Sequence, residues 1–228
     1  MVTKKNKYGI VMQGLIYEDT KNIINEYLEI FPNVEIVLST WTSEKTDDIP
    51  CKIVKNTPPE IRPPHNRSHN HQIVGTLAGL NCINAEIVLK CRTEQIIHNP
   101  KIFELYENDC PVNKIMIPDF GTYEIPEYRT SDFCQIATKE LLLEFWNSIP
   151  LYDGSFAIDG GKYFTMNFIL NSKKDRNAWK DILYKYFFVK KFHADFQIEW
   201  IKLNNLTLYQ KLYYKSFPNC VKNNLSNK

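Results

Sequence analysis

Residues 86–92 read EIVLKCR, and this stretch decides the fold. Its apolar side chains form a nearly unbroken run, so the strand that it predicts needs cover on both faces. Three further runs of this kind occur in the first half of the chain: residues 8–13 (YGIVMQ), 34–40 (VEIVLST) and 114–118 (KIMIP). Strands with one wet face would alternate apolar and polar residues instead. The pattern therefore predicts a parallel sheet between layers of helices.

Amphipathic segments lie between and after these runs and predict the covering helices. Residues 19–31, 68–81, 138–149 and 177–189 each place their apolar side chains on one stripe. Gly75 and Gly79 fall within the second of these segments, where they would let the helix lie close to the sheet. The Pro-rich residues 56–65 predict a surface loop within the same domain. We expect an α/β single domain with a mostly parallel central sheet flanked by helices.

Composition limits the partners and the compartment. The chain has 228 residues, enough for one core, and a formal charge of +2 that gives no reason to expect nucleic acid as a partner. Its six cysteines stand singly, without a CxxC pair, which is typical of reduced thiols in a cytoplasmic protein. Because no apolar run approaches about 18 residues, a membrane-spanning helix is not expected.

Polar residues follow each predicted strand, at the edge where an open α/β sheet binds ligands. They are Gln13 and Gly14 after the first strand, Ser39, Thr40 and Trp41 after the second, Arg92, Thr93 and Glu94 after the third, and Asp119 after the fourth. A diphosphate is a suitable ligand, because its charge can be neutralised by a metal on carboxylates or by an arginine fork. Arg92 and Glu94 could supply either device. An ion pair that caps a strand without any ligand is an equally good interpretation.

Two other groups of residues have a functional and a structural interpretation. His65 and His69 have the spacing of helical metal ligands, with His71 nearby, but no acidic or Cys ligand accompanies them. A hydrogen-bonded helix entry is therefore favoured over zinc. Residues 179–192 mix aromatic side chains with lysines and could rest on a membrane surface, although a core position is favoured.

Four strings, GIVMQGLIY, PNVEIVLSTW, HNHQIVGTLAGLNCINAEIVLKCRTE and SDF, occur in this order and resemble the WavE lipopolysaccharide-synthesis family. The resemblance covers about the first 135 residues well. It implies a GT-A-like glycosyltransferase that moves a sugar from a nucleotide-sugar donor to a growing lipopolysaccharide, capsule or viral glycan. Residues 1–120 would then form the nucleotide-sugar-binding half and residues 121–215 the acceptor-side half, with a frayed tail at 216–228.

The resemblance also implies roles for single residues. GT-A enzymes hold Mn²⁺ or Mg²⁺ with an Asp-any-Asp motif, and here Glu94 stands at the second position while Arg92 replaces the first Asp. Glu94 would thus be the metal carboxylate, and Arg92, which cannot ligate a cation, would contact phosphate. The implied donor-binding residues are Gln13, Gly14, Thr40, Trp41, Arg67, Lys90 and Arg92.

An inverting transferase needs a base that takes the proton of the acceptor hydroxyl. Asp132, in the family-like RTSDFC segment, is the first choice and Asp119 the second, with loop capping as the alternative for each. The acceptor would be a glycan or a lipid-linked glycan, with peripheral contact to the cytoplasmic membrane face. The rival hypotheses are a sugar nucleotidyltransferase and a non-catalytic glycan- or partner-binding module. The sequence leaves the oligomeric state open.

Overall fold

The computed structural model describes residues 6–200 and residue 203. The strands are β1 (Asn6–Gln13), β2 (Glu35–Trp41), β3 (Lys52–Asn56), β4 (Ala85–Arg92), β5 (Gln95–Ile97), β6 (Ile115–Pro118), β7 (Gln135–Thr138), β8 (Phe187–Lys190) and β9 (Ile198–Trp200). The helices are α1 (Thr20–Ile30), α2 (His69–Cys82), α3 (Ile102–Asp109), α4 (Lys139–Asn147), α5 (Gly160–Asn167) and α6 (Trp179–Tyr186). Two short π-helical segments occur at Phe168–Lys173 and Phe192–Phe196.

The central sheet has seven strands in the order β3-β2-β1-β4-β7-β6-β8. All neighbouring pairs are parallel except the two that β7 makes with β4 and β6. The chain runs from β1 outward through β2 to β3 and then returns to place β4 on the other side of β1. The direction of strand addition therefore reverses between β1 and β4. The predicted mostly parallel sheet is confirmed.

Helices cover both faces of this sheet, and two clusters of buried apolar side chains fill the space. One cluster joins the strands to α2, α4, α5 and α6, and the other joins them to α1 and α3. Neighbouring residues of β4 serve different clusters, since Val88 belongs to the first and Leu89 to the second. A large apolar side chain contributes about 1.5–3 kcal/mol when it is fully buried. The apolar residues of EIVLKCR lie on both sides of β4 because this strand faces two cores.

Helix α2 lies close to the sheet through its glycines. A Cβ on Gly75 would stand 2.7 Å from Cγ of Gln13, and one on Gly79 would overlap Cγ1 of Val11. The close approach predicted from these two glycines is confirmed. It brings the first turn of α2 over the carboxyl ends of β1 and β2.

The second half of the chain differs from its prediction at one helix. Residues 177–189 were expected to be helical throughout, and this is wrong for the last part: α6 ends at Tyr186 and Phe187–Lys190 form β8. The reason is pairing at the sheet edge, where β8 lies parallel to β6. The apolar side chains of Trp179, Ile182 and Phe187 are buried, the position expected of a core segment. Among the described helices, none combines the length and the apolar character that crossing a bilayer requires.

A separate two-stranded sheet pairs β5 with β9 in antiparallel register. It brings Trp200 next to the loop that follows β4, although the two are far apart in sequence. The frayed tail predicted at 216–228 lies outside the described residues.

Candidate functional site

A cleft of about 390 Å³ opens at the carboxyl ends of β1, β2 and β4. It is lined by Gln13, Gly14, Leu15, Tyr17, Trp41, Ser43, Pro58, Ile61, Ser68, His71, Gln72, Arg92 and Glu94. Gln13 and Arg92 are register partners at the ends of β1 and β4, on the two sides of the point where strand order reverses. Open α/β sheets bind ligands at this crevice, because the loops on its two sides diverge there.

The floor of the cleft is formed where the loops after β1 and β4 meet. Gly14 has φ +147°, and a Cβ there would approach Oγ1 of Thr93 to 2.8 Å. The same Thr93 hydroxyl donates a hydrogen bond to the carbonyl oxygen of Leu15 at 2.5 Å. Glycine is required at position 14 by both its backbone angle and this contact. The two loops are thus fixed relative to each other.

Arg92 is the only cationic side chain among the residues that line the cleft. Its NH2 group donates to Oε1 of Gln72 at 3.4 Å, and its guanidinium lies 5.6 Å from the centre of the Trp200 ring. Carboxylate oxygens of Glu94 and Asp132 each lie 3.9 Å from it, beyond hydrogen-bond length. Its Nε atom is buried without a hydrogen-bond partner among the described residues. The guanidinium therefore keeps N–H groups that an anion could satisfy.

Glu94 is 3% exposed, and other groups of the protein already contact its carboxylate. Trp200 Nε1 donates to Oε1 at 3.3 Å, and the Thr93 hydroxyl lies 3.3 Å from Oε2. Across the described residues, no group of three or more His, Cys, Asp or Glu side chains is arranged to hold a metal ion. Mg²⁺ is commonly held by one or two carboxylates together with substrate phosphates and several waters. The Glu94 carboxylate fits such an ion poorly because it is enclosed and lies beside the Arg92 guanidinium.

The wall opposite Arg92 combines Trp41 with His71 from α2. The rings meet edge to face with their centres 5.0 Å apart. Trp41 is only 3% exposed, so little of its ring is available for stacking on a ligand. Burial lowers the pKa of His71, and its Nδ1 has no hydrogen-bond partner among the described residues. A neutral His71 can therefore offer this nitrogen as a hydrogen-bonding group in the cleft.

The amino-terminal end of α2 borders the same cleft through Ser68, His71 and Gln72. Ser68 is the N-cap residue, but its side chain makes no capping hydrogen bond. The first N–H groups of a helix have no partner within the helix, and they carry partial positive charge. This end of α2 adds to Arg92 as a second positive feature of the cleft.

Asp132 lies beside Arg92, just outside the residues that line the cleft. Its main-chain carbonyl accepts hydrogen bonds from Gln72 Nε2 at 2.6 Å and from Lys90 Nζ at 2.5 Å. Its carboxylate faces the Arg92 guanidinium, and a Cβ on Gly160 would lie 3.2 Å from Oδ2. The side chain is 21% exposed. The carboxylate is therefore placed by bonds to its own backbone and remains open to solvent.

Four other predicted site residues are not among those that line the cleft. Lys90 is fully buried, with its Nζ 4.9 Å from the Trp146 ring centre, and burial lowers its pKa to about 8. Thr40 is also fully buried, because side chains alternate along β2 and Trp41 takes the side that faces the cleft. Arg67 is exposed and precedes the N-cap of α2. Asp119 accepts a hydrogen bond from the Phe192 N–H at 2.8 Å and pairs with Lys191 at 3.2 Å.

Among the histidines near the start of α2, His69 makes the hydrogen bond that was expected of a helix entry. His69 is buried, stacks on Tyr163 with ring centres 5.6 Å apart, and its Nε2 lies 3.1 Å from the carbonyl oxygen of Ile158. Because a carbonyl only accepts, Nε2 carries the proton. His69 thereby fastens α2 to the loop before α5.

Sequence reasoning placed the amino-terminal end of α2 at this edge through Arg67, but it did not identify Ser68 and Gln72 as lining residues. It also missed β9, which places Trp200 beside Arg92 and Glu94. No local signal identified Trp200. Its place depends on the pairing of β5 with β9.

These features define an open α/β protein with a polar cleft at the reversal point of a mostly parallel sheet. The sequence model of the WavE lipopolysaccharide synthesis family matches residues 9–176, and the chain belongs to this family. No curated protein matches the chain significantly. The predicted family resemblance is confirmed.

Three solved structures are similar in outline. The first is 4-diphosphocytidyl-2C-methyl-D-erythritol synthase from Anaerococcus prevotii, with 14% identity, coverage of 92% of this chain and 96% of that chain, and a TM-score of 0.48. The second is the apo-form glycosyltransferase GlyE from Streptococcus pneumoniae, with 7% identity, coverage of 92% of this chain and 51% of that chain, and a TM-score of 0.48. The third is residues 1–349 of TarS from S. aureus, with 12% identity, coverage of 82% of this chain and 58% of that chain, and a TM-score of 0.48. The chain matches only about half of the GlyE chain. At these identities and scores, no residue role is transferred.

Proposed function

We propose that the protein is a glycosyltransferase that transfers a sugar from a nucleotide-sugar donor to a growing surface glycan. The observation that carries the proposal is Arg92, the cation at the strand-reversal cleft, whose Nε atom has no partner among the described residues. Membership of the WavE lipopolysaccharide synthesis family supports surface-glycan assembly as the setting.

The donor's diphosphate fits the positive side of the cleft. Arg92 can donate paired hydrogen bonds to phosphate oxygens, and the uncapped end of α2 adds N–H groups from a second direction. When the glycosidic bond to the diphosphate breaks, negative charge accumulates on the leaving oxygen. Fixed donors aimed at that charge stabilise the transition state more than the ground state.

The nucleoside fits the part of the cleft near Gln13 and Gly14. The Gln13 amide can hydrogen-bond to a base or a ribose hydroxyl, and the absence of a side chain on Gly14 allows close approach. Leu15, Tyr17 and Ile61 are partly exposed apolar side chains at this cleft and offer surface to a base. A cleft of about 390 Å³ matches the size range of small-molecule sites.

Asp132 is the proposed base of an inverting transfer. Its carboxylate takes the proton from the acceptor hydroxyl while the hydroxyl oxygen bonds to the anomeric carbon and the nucleoside diphosphate departs from the opposite face. The carboxylate is partly exposed and lies next to Arg92, so acceptor and diphosphate would meet beside one guanidinium. We propose a glycan or lipid-linked glycan as acceptor, at the cytoplasmic face of the membrane.

The proposal is tested by titrating the purified protein with UDP-, GDP- and CMP-sugars by calorimetry. We expect saturable binding of at least one donor, and slow donor hydrolysis in the absence of acceptor. Absence of binding to every donor would refute the proposal. Absence of donor hydrolysis and transfer, together with binding of a glycan, would favour a non-catalytic glycan- or partner-binding module. Release of pyrophosphate from a nucleoside triphosphate and a sugar phosphate would favour a sugar nucleotidyltransferase.

A further inference from the structure

We infer that the protein neutralises the donor's diphosphate with Arg92, and not with a divalent cation held by Glu94. The inference rests on the proposed use of a nucleotide-sugar donor. It concerns which group in the cleft neutralises the negative charge of the donor's diphosphate. It departs from the metal site that the position of Glu94 implies.

The first support is the state of the Glu94 carboxylate. Oε1 accepts a hydrogen bond from Trp200 Nε1 at 3.3 Å, and the Thr93 hydroxyl, whose proton is donated to the Leu15 carbonyl, lies 3.3 Å from Oε2. A bound cation would have to displace the Trp200 contact or enter beside Thr93, at a residue that is 3% exposed. Mg²⁺ in particular keeps several waters, for which an enclosed carboxylate leaves little room.

The second support is the charge beside that carboxylate. Arg92 NH1 lies 3.9 Å from Oε1 of Glu94, so an ion at this oxygen would be close to a fixed positive charge. Two like charges a few ångströms apart repel by several kcal/mol at the low effective dielectric of a partly buried site. Asp132, the other nearby carboxylate, faces the same guanidinium. Arginine therefore occupies the space between the two candidate ligands.

The third support is the unused hydrogen-bonding capacity of Arg92. The guanidinium has five N–H groups. Within residues 6–200, its guanidinium makes one hydrogen bond, to Gln72 at 3.4 Å, and its buried Nε has no partner there. The guanidinium carbon also lies 5.6 Å from the centre of the Trp200 ring, within the range of a cation–π contact. An oriented guanidinium with free N–H groups is suited to a phosphate without help from a cation.

The structure also predicts whether the substitution Glu94→Gln strengthens or weakens nucleotide binding. Glu94 partly offsets the charge of Arg92, so Glu94→Gln removes a negative charge from an anion site while it preserves an acceptor for Trp200 Nε1. If Arg92 neutralises the diphosphate, this change tightens nucleotide binding by about three- to tenfold. On a metal mechanism, the same change removes the metal ligand and weakens binding in Mn²⁺.

The experiment measures the Kd of UDP and GDP by calorimetry, once in EDTA and once in Mn²⁺. We expect the nucleotide that binds to show Kd values within about twofold of each other in the two buffers, because no protein-held ion contributes. Arg92→Ala should weaken binding by about ten- to a hundredfold in both buffers, as expected for the loss of a charged hydrogen-bond donor. Arg176→Ala, at an exposed position outside the cleft, is the matched control and should leave Kd unchanged.

The outcomes separate this inference from the proposed function. Binding only in Mn²⁺, abolished by Glu94→Gln, would overturn the inference and leave the glycosyltransferase proposal standing. Binding of CMP-sugars but not of UDP or GDP would also overturn the inference alone, because CMP-sugars carry no diphosphate. Absence of binding of UDP, GDP and every donor sugar nucleotide in both buffers would instead overturn the proposed function. Should Arg92→Ala fail to fold, as judged by circular dichroism, the Glu94→Gln variant still decides between tighter and weaker binding.

Discussion

Asp132 is positioned through its main chain. Its main-chain carbonyl oxygen accepts hydrogen bonds from the Lys90 ammonium and the Gln72 amide. Its carboxylate stays partly exposed next to Arg92. Asp119 shows the opposite arrangement, with both carboxylate oxygens engaged by Phe192 N–H and Lys191. One carboxylate is available for proton transfer, and the other holds a loop together. The two residues chosen from sequence as bases are therefore separable by their contacts.

Replacement of Asp132 by Asn tests this difference. The amide has nearly the same shape but cannot take a proton, so we expect kcat for sugar transfer to fall by about 10²–10⁴-fold, with donor Kd within about threefold. Initial rates and calorimetric titrations measure the two quantities. Asp119→Asn is the control and should lower stability more than kcat. A larger loss of kcat for Asp119→Asn than for Asp132→Asn would assign the base to Asp119.

At the scale of elements, α2 controls the site because it is packed almost onto the strands. Its glycines allow this approach, and the approach brings His71 and Gln72 to the cleft. A side chain on the sheet-facing side would separate helix and sheet and widen the cleft. The same helix thus links core packing to ligand binding.

Gly79→Ala measures the energy of this packing. The new methyl group meets Val11, a fully buried residue of β1, so we expect a loss of about 1–3 kcal/mol in the free energy of unfolding, despite the better helix propensity of Ala. Denaturant unfolding followed by circular dichroism gives the value. Asn81→Ala, at an exposed position of the same helix, should be neutral or stabilising. Equal stability of Gly79→Ala and the unmodified protein would contradict the close packing.

The elements that sequence predicts best are those with long local patterns. β1, β2, β4, α1, α2 and α4 lie within about two residues of their expected bounds, because their apolar spacing extends over seven or more residues. β3 was not predicted, and β7, β8 and β9 have only three or four residues, so pairing with distant strands determines them. Local helical spacing in residues 177–189 could not show that the last three would join the sheet.

In the site, too, some residues could be predicted from the local sequence and others could not. Gln13, Gly14, Trp41, Arg92 and Glu94 were chosen as strand-end residues, and all five line the cleft, because parallel strands end at one edge. Lys90 and Thr40 were chosen from the same segments but are fully buried. Side-chain direction separates these two groups, and it depends on the register and on which layer covers each face. Residues that enter from other elements, such as Trp200, need the tertiary structure.

For the molecule as a whole, Lys90 links proton binding to stability. It is a fully buried cation in the central strand, and burial, as the largest cause, lowers its pKa from 10.5 to about 8. Asp132 and the buried Cys91 and Cys134 oppose this shift, while Arg92 adds to it. In the unfolded chain, Lys90 keeps its ordinary pKa. Between pH 8 and 10.5 the unfolded state therefore binds more protons at this residue than the folded state.

The sign of the pH effect follows from this difference. The free energy of unfolding rises with pH wherever the unfolded state binds more protons, so the Lys90 contribution should grow from about pH 8 upward and reach about 3 kcal/mol by pH 10.5. Guanidinium chloride unfolding of the protein and of Lys90→Met over this range measures it. The variant lacks the group, so the difference between the two curves isolates Lys90 from other titrating residues. Parallel curves would contradict the assignment.

The pairing of β5 with β9 has a consequence for how the protein is made. Trp200 contacts Glu94 across 106 positions of the chain, and it lies beyond residue 176, where the family match ends. On the ribosome, the parallel strands β1–β4 emerge first and can associate early, but the indole that contacts Arg92 and Glu94 follows much later. A nascent chain that already contains the strands of the central sheet therefore still lacks the indole beside Arg92 and Glu94. This part of the cleft surroundings is completed only when synthesis has passed β9.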